Sequence, residues 1–279
     1  MHKQPSFLDT NDVKIMGIIN TTPDSFSDGG RFLTHDKALE QARRLIDEGA
    51  DILDIGGEST RPGADEVTVS DEIQRTIPLI ESIRAFSDVP ISIDTSKADV
   101  MRAASEAGAN MINDVWALRR EGAMQAAAEI GLPVCLMHMQ GTPENMQHNP
   151  EYESVVKDVK RFLQDRLFAA QAAGIKKENL VIDPGFGFGK TLQQNYQLLK
   201  ALPEFVEMGY PLLVGMSRKS MVGLVLDKPV DERLYGSLSA AVISAMLGAH
   251  IIRVHDVTET RQALAIVQTF KQTTDDVRL

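Results

Sequence analysis

Several short apolar runs in the chain end on residues that could bind or polarise a ligand. Ile15–Ile19 is followed by Asn20, Ile52–Ile55 by Gly56, Gly57 and Glu58, and Ile91–Ile93 by Asp94. Met111–Ile112 runs into Asn113 and Asp114, Val134–Met137 into His138, and Leu180–Ile182 into Asp183. Leu212–Val214 leads to Ser217, Arg218 and Lys219, and Ile251–Val254 carries Arg253 with His255 just beyond. Asp and Asn side chains can read the edge of a flat heterocycle rich in N–H and C=O groups. Arg253, His255 and Arg61 could supply positive charge for a phosphate group. Arg253 and His255, two apart, would point to the same side of a strand and reach one ligand together. Singly, each residue also has a plain structural role open to it. Asp94, with Thr95 and Ser96, could cap a following helix, and His138 could be a satisfied structural histidine.

Two long segments, Asn20–Phe32 (NTTPDSFSDGGRF) and Gly56–Val67 (GGESTRPGADEV), mix Gly, Pro, Ser and Asp with Phe26 or Arg61. They are expected to act as lids over a substrate, with mobile surface turns as the plainer reading. Asp183–Lys190 (DPGFGFGK) lacks the GxxxxGK[ST] spacing of a phosphate loop. Its glycines are expected to bring the backbone near a ligand, with Phe186 or Phe188 as an aromatic wall. His138 and His148 lie ten apart in a stretch rich in Met and Gln, which is not a zinc pattern. A magnesium ion held mainly by substrate phosphates would need only one or two protein oxygens.

The elements that must position these groups alternate. Eight apolar runs, mostly Ile, Val and Leu without polar alternation, read as strands covered on both faces. Helical periods lie over Asp36–Glu48, Asp71–Phe86, Ala98–Ala107, Ala123–Ile130, Val155–Ala173 and Leu238–Leu247, most of them stopping at a glycine. Eight strand-then-helix units predict an α/β fold, a single (β/α)8 TIM barrel over residues 1–279, with 1–11 and 271–279 as flexible ends. A doubly wound open sheet is the alternative, but no Gly-rich fingerprint follows Ile19. In a barrel, the polar run ends named above would meet at one mouth.

The chain has 29 basic and 39 acidic residues, a net charge of −10. That balance argues against nucleic acid or an anionic membrane as partner, while leaving room for an anionic substrate at focused Arg and Lys residues. Cys135 is the only cysteine, so no internal disulfide can form and a reducing cytoplasmic setting is expected. Met1–Lys14 carries no apolar core of a signal peptide.

Met16–Phe32 (MGIINTTPDSFSDGGRF) and Ile55–Gly63 (IGGESTRPG) resemble the two signatures of the dihydropteroate synthase family. SIDTSK at 92–97, IND at 112–114, DPGFGFGK at 183–190, GMSRK at 215–219 and RVHD at 253–256 follow in the family's order, so the resemblance spans about residues 12–270. It implies a transferase of folate biosynthesis that joins 6-hydroxymethyl-7,8-dihydropterin diphosphate to 4-aminobenzoate and releases diphosphate, with sulfonamides as competitors. It implies that Asp94, Asn113, Asp183 and Lys219 bind the pterin, and that Asn20, Arg61, Arg253 and His255 hold diphosphate, with Asn20 near a Mg2+ ion. Phe26, Thr60, Pro62, Phe188 and Ser217 would shape the aminobenzoate pocket. Arg253, His255, Lys219 and Asp94 would carry the catalysis, and the protein would be a homodimer. Two other readings remain: a corrinoid-linked methyltransferase of methyltetrahydrofolate, or a non-catalytic pterin-binding barrel. Neither gives a reason to keep the two loop signatures together with a diphosphate-binding RVH.

Overall fold

The computed structural model describes residues 5–9, 12–21, 31–59, 64, 66–142, 146 and 150–273. Phe26, Thr60, Arg61 and Pro62 lie outside the described residues, as does most of each expected lid.

Eight strands form one parallel sheet: β1 (Lys14–Asn20), β2 (Ile52–Gly56), β3 (Ile91–Asp94), β4 (Met111–Asp114), β5 (Val134–Met137), β6 (Leu180–Asp183), β7 (Leu213–Val214) and β8 (Ile251–Val254). They pair in the order β6-β5-β4-β3-β2-β1-β8-β7. A parallel bridge from Ile182 to Leu212, with Ile182 N–H donating to Pro211 carbonyl at 3.0 Å, joins the two ends and closes the barrel. The fold is the expected (β/α)8 barrel. Its helices are α1 (Arg31–Asp47), α2 (Val69–Arg84), α3 (Ala98–Glu106), α4 (Ala123–Ile130), α5 (Val155–Ala172), α6 (Leu192–Lys200), α7 (Leu202–Val206), α8 (Ser220–Leu226), α9 (Leu234–Met246) and α10 (Val257–Gln272).

Strand parity divides the core in two. Outward residues such as Ile15, Ile19, Leu53, Ile55, Ile93 and Leu136 pack beneath the helices with Leu45, Leu79, Ile80 and Leu163. Inward residues Met16, Ile52, Met111, Cys135, Val181, Leu213 and Ile251 form an apolar floor inside the barrel. Of the ends expected to be flexible, Ser6–Leu8 winds a 3-10 turn that delivers buried Leu8 to this floor, and α10 continues to Gln272.

The helices account for the strand spacing. Thr191 opens α6 with a reciprocal capping box, accepting from Gln194 N–H while the Gln194 side chain accepts from Thr191 N–H. Helix α9 starts four residues before the expected Leu238, and it contains Gly236, a residue that weakens an isolated helix. Packing overrides that cost: a Cβ at Gly236 would lie 2.5 Å from Val222, so only glycine lets α9 lie this close to α8. Two units carry a second helix, α7 after α6 and α9 after α8, and α6, α7, α8 and α10 lie outside the helical periods read from the sequence.

Candidate active site

Two residues along a strand from the apolar floor the side chains change character. Ile52 is followed at i+2 by Asp54, Met111 by Asn113, Val181 by Asp183 and Ile251 by Arg253. A period of two keeps each of these pointing inward, so a polar layer sits above the floor at the C-terminal ends of the strands. The predicted residues Asp94, Asn113, Asp183, Lys219 and Arg253 all enter this one mouth.

At its centre, Arg253 donates from Nε to Asp54 Oδ2 at 2.5 Å and from Nη2 to Asp94 Oδ2 at 2.9 Å. Asn113 Nδ2 donates to the same Asp54 oxygen at 3.2 Å. The Asp54 carboxylate is fully buried. The sequence pattern passes over it, because attention falls on strand ends and Asp54 lies inside β2. The available signal is a charged residue at an inward position of an otherwise apolar run, ILDIG.

Burial, reinforced by the negative charge of Asp54, raises the Asp94 carboxyl to about 7 despite the opposing pull of Arg253. Asp94 is not the helix cap that its neighbours suggest. Lys97 stands at the N-cap of α3, Thr95 Oγ1 accepts from Lys97 N–H at 3.3 Å, and Ser96 Oγ donates to Asp114. Asp114 also accepts from the N–H groups of Trp116 and Leu118, so it organises the turn after β4. Burial raises Asp183 as well, while Lys219 and a hydrogen bond from Gly185 N–H at 2.7 Å oppose the shift.

Lys219 donates to the Phe186 carbonyl at 2.6 Å, and its ammonium stands 4.6 Å from the centre of the Phe188 ring. Burial lowers it to about 8, which leaves it cationic at neutral pH but close to titration. Ser217 Oγ lies 3.0 Å from His255 Nδ1 and accepts from His255 N–H at 3.2 Å, which ties the turn after β7 to the end of β8. Arg218, in the left-handed region at φ 58°, is turned away to pair with Asp256. Asn20 ends β1 with its Oδ1 toward Gly56.

The Asp183–Lys190 segment brings Phe188 and the backbone at Gly187 against Lys219, and it is also tied from within. Lys190 is buried, with Nζ 2.8 Å from the Gly185 carbonyl, 2.9 Å from the Phe188 carbonyl and 3.0 Å from His138 Nδ1. It gathers the loop from inside instead of reaching for a ligand. A Cβ at Gly185 would collide with the His138 carbonyl oxygen, and one at Gly189 would lie 2.7 Å from the Gln140 carbonyl. These glycines therefore serve loop-to-loop packing. Of the two candidate aromatic walls, Phe186 is sealed in the core and Phe188 lies at the mouth with Met137, Met139 and Val115. His138 is the structural histidine: burial, with Lys190 beside it, lowers it to about 2, and its ring packs edge-on against Phe162.

A barrel whose mouth holds acids, an amide and the cations Arg253 and Lys219 defines a binder of a polar heterocycle joined to an anion. The family described as pterin binding enzyme matches residues 16–255, and the chain belongs to it. The dihydropteroate synthase of Haemophilus influenzae is 55% identical over 261 residues, covering 94% of this chain and 95% of that protein. A Yersinia pestis dihydropteroate synthase in complex with a sulfonamide drug superposes with a TM-score of 0.92 at 53% identity, covering 95% of this chain and 96% of that one. The Xanthomonas albilineans dihydropteroate synthase with 4-aminobenzoic acid gives a TM-score of 0.91 at 49% identity, covering 95% of each chain.

Proposed function

We infer that the protein is a dihydropteroate synthase, a transferase of folate biosynthesis that sulfonamides inhibit. It condenses 6-hydroxymethyl-7,8-dihydropterin diphosphate with 4-aminobenzoate to 7,8-dihydropteroate and diphosphate. The observation that carries this reading is the polar layer of Asp94, Asn113, Asp183, Lys219 and Arg253 inside an otherwise apolar barrel. The apolar floor below packs without their side chains, so their polar groups are kept for a ligand.

The bond broken joins a CH2 to diphosphate oxygen, and its electron pair leaves with diphosphate. The electron-rich dihydropterin shares the positive charge left on that carbon, so an S_N1-like course is available. The aniline nitrogen then attacks the CH2 and loses a proton. Asp94, Asn113 and Asp183 hold the pterin edge, and the two carboxylates favour the cationic ring. Lys219 binds beside them above Phe188. Asn20, Arg61, Arg253 and His255 hold the departing diphosphate. Phe26, Thr60, Pro62, Phe188 and Ser217 form the aminobenzoate pocket and exclude water that would trap the cation. No protein nucleophile is required.

The residues present suit Mg2+. A Cβ at Gly56 would lie 3.8 Å from Asn20 Oδ1, so this oxygen stands beside a bare backbone position. An amide oxygen such as Asn20 Oδ1 is enough for an ion held mainly by diphosphate and water. When bound, the ion would neutralise charge on the leaving group.

The protein is a homodimer in this proposal. Supporting it, α8 and α10 each pack beside α9, and these three helices expose Leu224, Val225, Tyr235, Ile243, Ile266 and Phe270. Sedimentation at micromolar concentration tests it. A cytoplasmic setting is supported by the single thiol, which is buried and pushed up by burial in the barrel floor. Among the described residues no helix is long and apolar enough to cross a membrane.

The test of function is mass-spectrometric detection of 7,8-dihydropteroate from the two substrates with magnesium, and diphosphate release with each omitted in turn. Diphosphate release that ignores aminobenzoate, with no pteroate formed, would remove the assignment.

A further inference from the structure

We propose that Asp54 is a positioning residue for this reaction, setting the orientation of both the amide that reads the pterin and the guanidinium that holds diphosphate. The proposal rests on the roles given above to Asn113 and Arg253. Asp54 is fully buried, and among the described residues its hydrogen bonds come from those two side chains alone: Arg253 Nε at 2.5 Å, and Asn113 Nδ2 at 3.2 and 3.5 Å. The fold has no use for a charge there. One layer below, Met16, Ile52, Met111, Cys135, Val181, Leu213 and Ile251 close the barrel with apolar side chains. A buried ion pair is costly to desolvate, and replacing the whole pair by well-packed apolar groups is often neutral for stability, so packing alone does not account for it.

The chemistry of the group explains its presence. An ionised carboxylate only accepts hydrogen bonds, whereas a carboxamide both donates and accepts. Facing Asp54, Asn113 has one sensible orientation: NH2 toward Asp54 and Oδ1 toward the ligand. The site therefore presents an acceptor at that point, matched to an N–H of the pterin edge. The same carboxylate takes the Nε of Arg253 while Asp94 takes Nη2, which leaves Nη1 unengaged by any described residue and the fork held at a fixed tilt. One carboxylate thus orients both halves of the substrate site, joining β8 to β2 and β4 across the barrel interior.

The test is Asp54→Asn in the full-length protein, which keeps the volume and removes both the charge and the acceptor-only character. The expected result is at least a tenfold rise in KM for the pterin diphosphate and at least a tenfold fall in kcat, with KM for 4-aminobenzoate changed less than threefold. In an Arg253→Met background, the same substitution should cost less than a third of what it costs alone, because much of its effect passes through Arg253. Asp54→Ser, small enough to enter the layer without strain, is measured in parallel in case the amide disturbs folding. Turnover within twofold of the parent for a folded Asp54 variant, or an undiminished effect in the Arg253→Met background, overturns the proposal. If Arg253→Met and Asn113→Ala leave the KM for pterin diphosphate unchanged, the site reading falls and Asp54 with it. If they raise that KM and the Asp54 variants do not, only the role of Asp54 falls.

Discussion

Arg253→Lys keeps the charge and removes the fork. In the structure the guanidinium divides itself, Nε on Asp54 at 2.5 Å and Nη2 on Asp94 at 2.9 Å. A lysine ammonium is one point and can serve one carboxylate. The substitution therefore loses one hydrogen bond to a charged partner, about 1.5–3 kcal/mol. It stops short of the roughly 3–5 kcal/mol expected when a buried charge loses its partner outright. The loss depends on pH. Asp94 already titrates near 7 because burial and Asp54 raise it against the pull of Arg253. With that pull weakened it rises further, takes up a proton and ceases to be an unpaired charge. The destabilisation should be about 2–3 kcal/mol near pH 8.5 and about 1 kcal/mol near pH 6. Urea unfolding of parent and variant at both pH values measures it, with kcat/KM measured alongside. Activity should fall by about a hundredfold, near 2.7 kcal/mol, because the anion also loses a guanidinium donor held at a fixed tilt. Equal destabilisation at the two pH values, or turnover within about twofold, would mean that Arg253 does not bridge these carboxylates or does not hold the leaving group.

Further outcomes follow from the geometry at Asp94, Lys219 and Ser92 and, for Phe26, from the proposed aminobenzoate pocket. The pH profile of kcat/KM for the pterin diphosphate should be bell-shaped, with limbs near the free enzyme's values of about 7 for Asp94 and about 8 for Lys219. Asp94→Asn should weaken pterin binding in calorimetry and abolish the acid limb. In the parent, folded Asp94 binds its proton more tightly than the unfolded chain does, so stability falls as pH rises from near 4 through 7. Asp94→Asn should flatten that slope, and an unchanged slope would detach Asp94 from it. Ser92 Oγ is buried with no hydrogen-bond partner among the described residues, so Ser92→Ala should be neutral or stabilising by up to about 1 kcal/mol in urea unfolding. A loss of that size instead would mean the hydroxyl is bonded. Phe26→Ala should raise the aminobenzoate KM about tenfold and weaken sulfonamide binding, leaving pterin affinity and melting temperature little changed. A large fall in melting temperature with normal aminobenzoate kinetics, as for a core Phe worth about 3–5 kcal/mol, would make Phe26 structural.

The amino-acid order alone determined the architecture and the mouth. Parallel strands covered on both faces leave continuous Ile, Val and Leu runs, and helices that stop at glycine leave their period and their exit in the chain. Residues at strand ends, such as Asp94, Asn113, Asp183 and Arg253, are legible because the barrel places every C-terminal strand end on one rim. Tertiary structure alone decided the pairings within that rim. Arg253 and Asp54 are 199 positions apart, and only closure around β1 sets β8 and β2 on either side of one strand, so that a side chain from one reaches the other. The same holds for the glycine-rich segment after β6. Its spacing says that backbone comes close to something, and only the fold shows that the neighbour is the His138 carbonyl and that Lys190 turns inward to bind carbonyl groups. Phe186 and Phe188, two apart in the chain, part company for a related reason: neither lies in a strand, so no period ties them to one face, and the turn sends the first to the core and the second to the mouth. Local periodicity is a property of a few consecutive residues, whereas a hydrogen bond across a barrel depends on where the whole ring of strands closes.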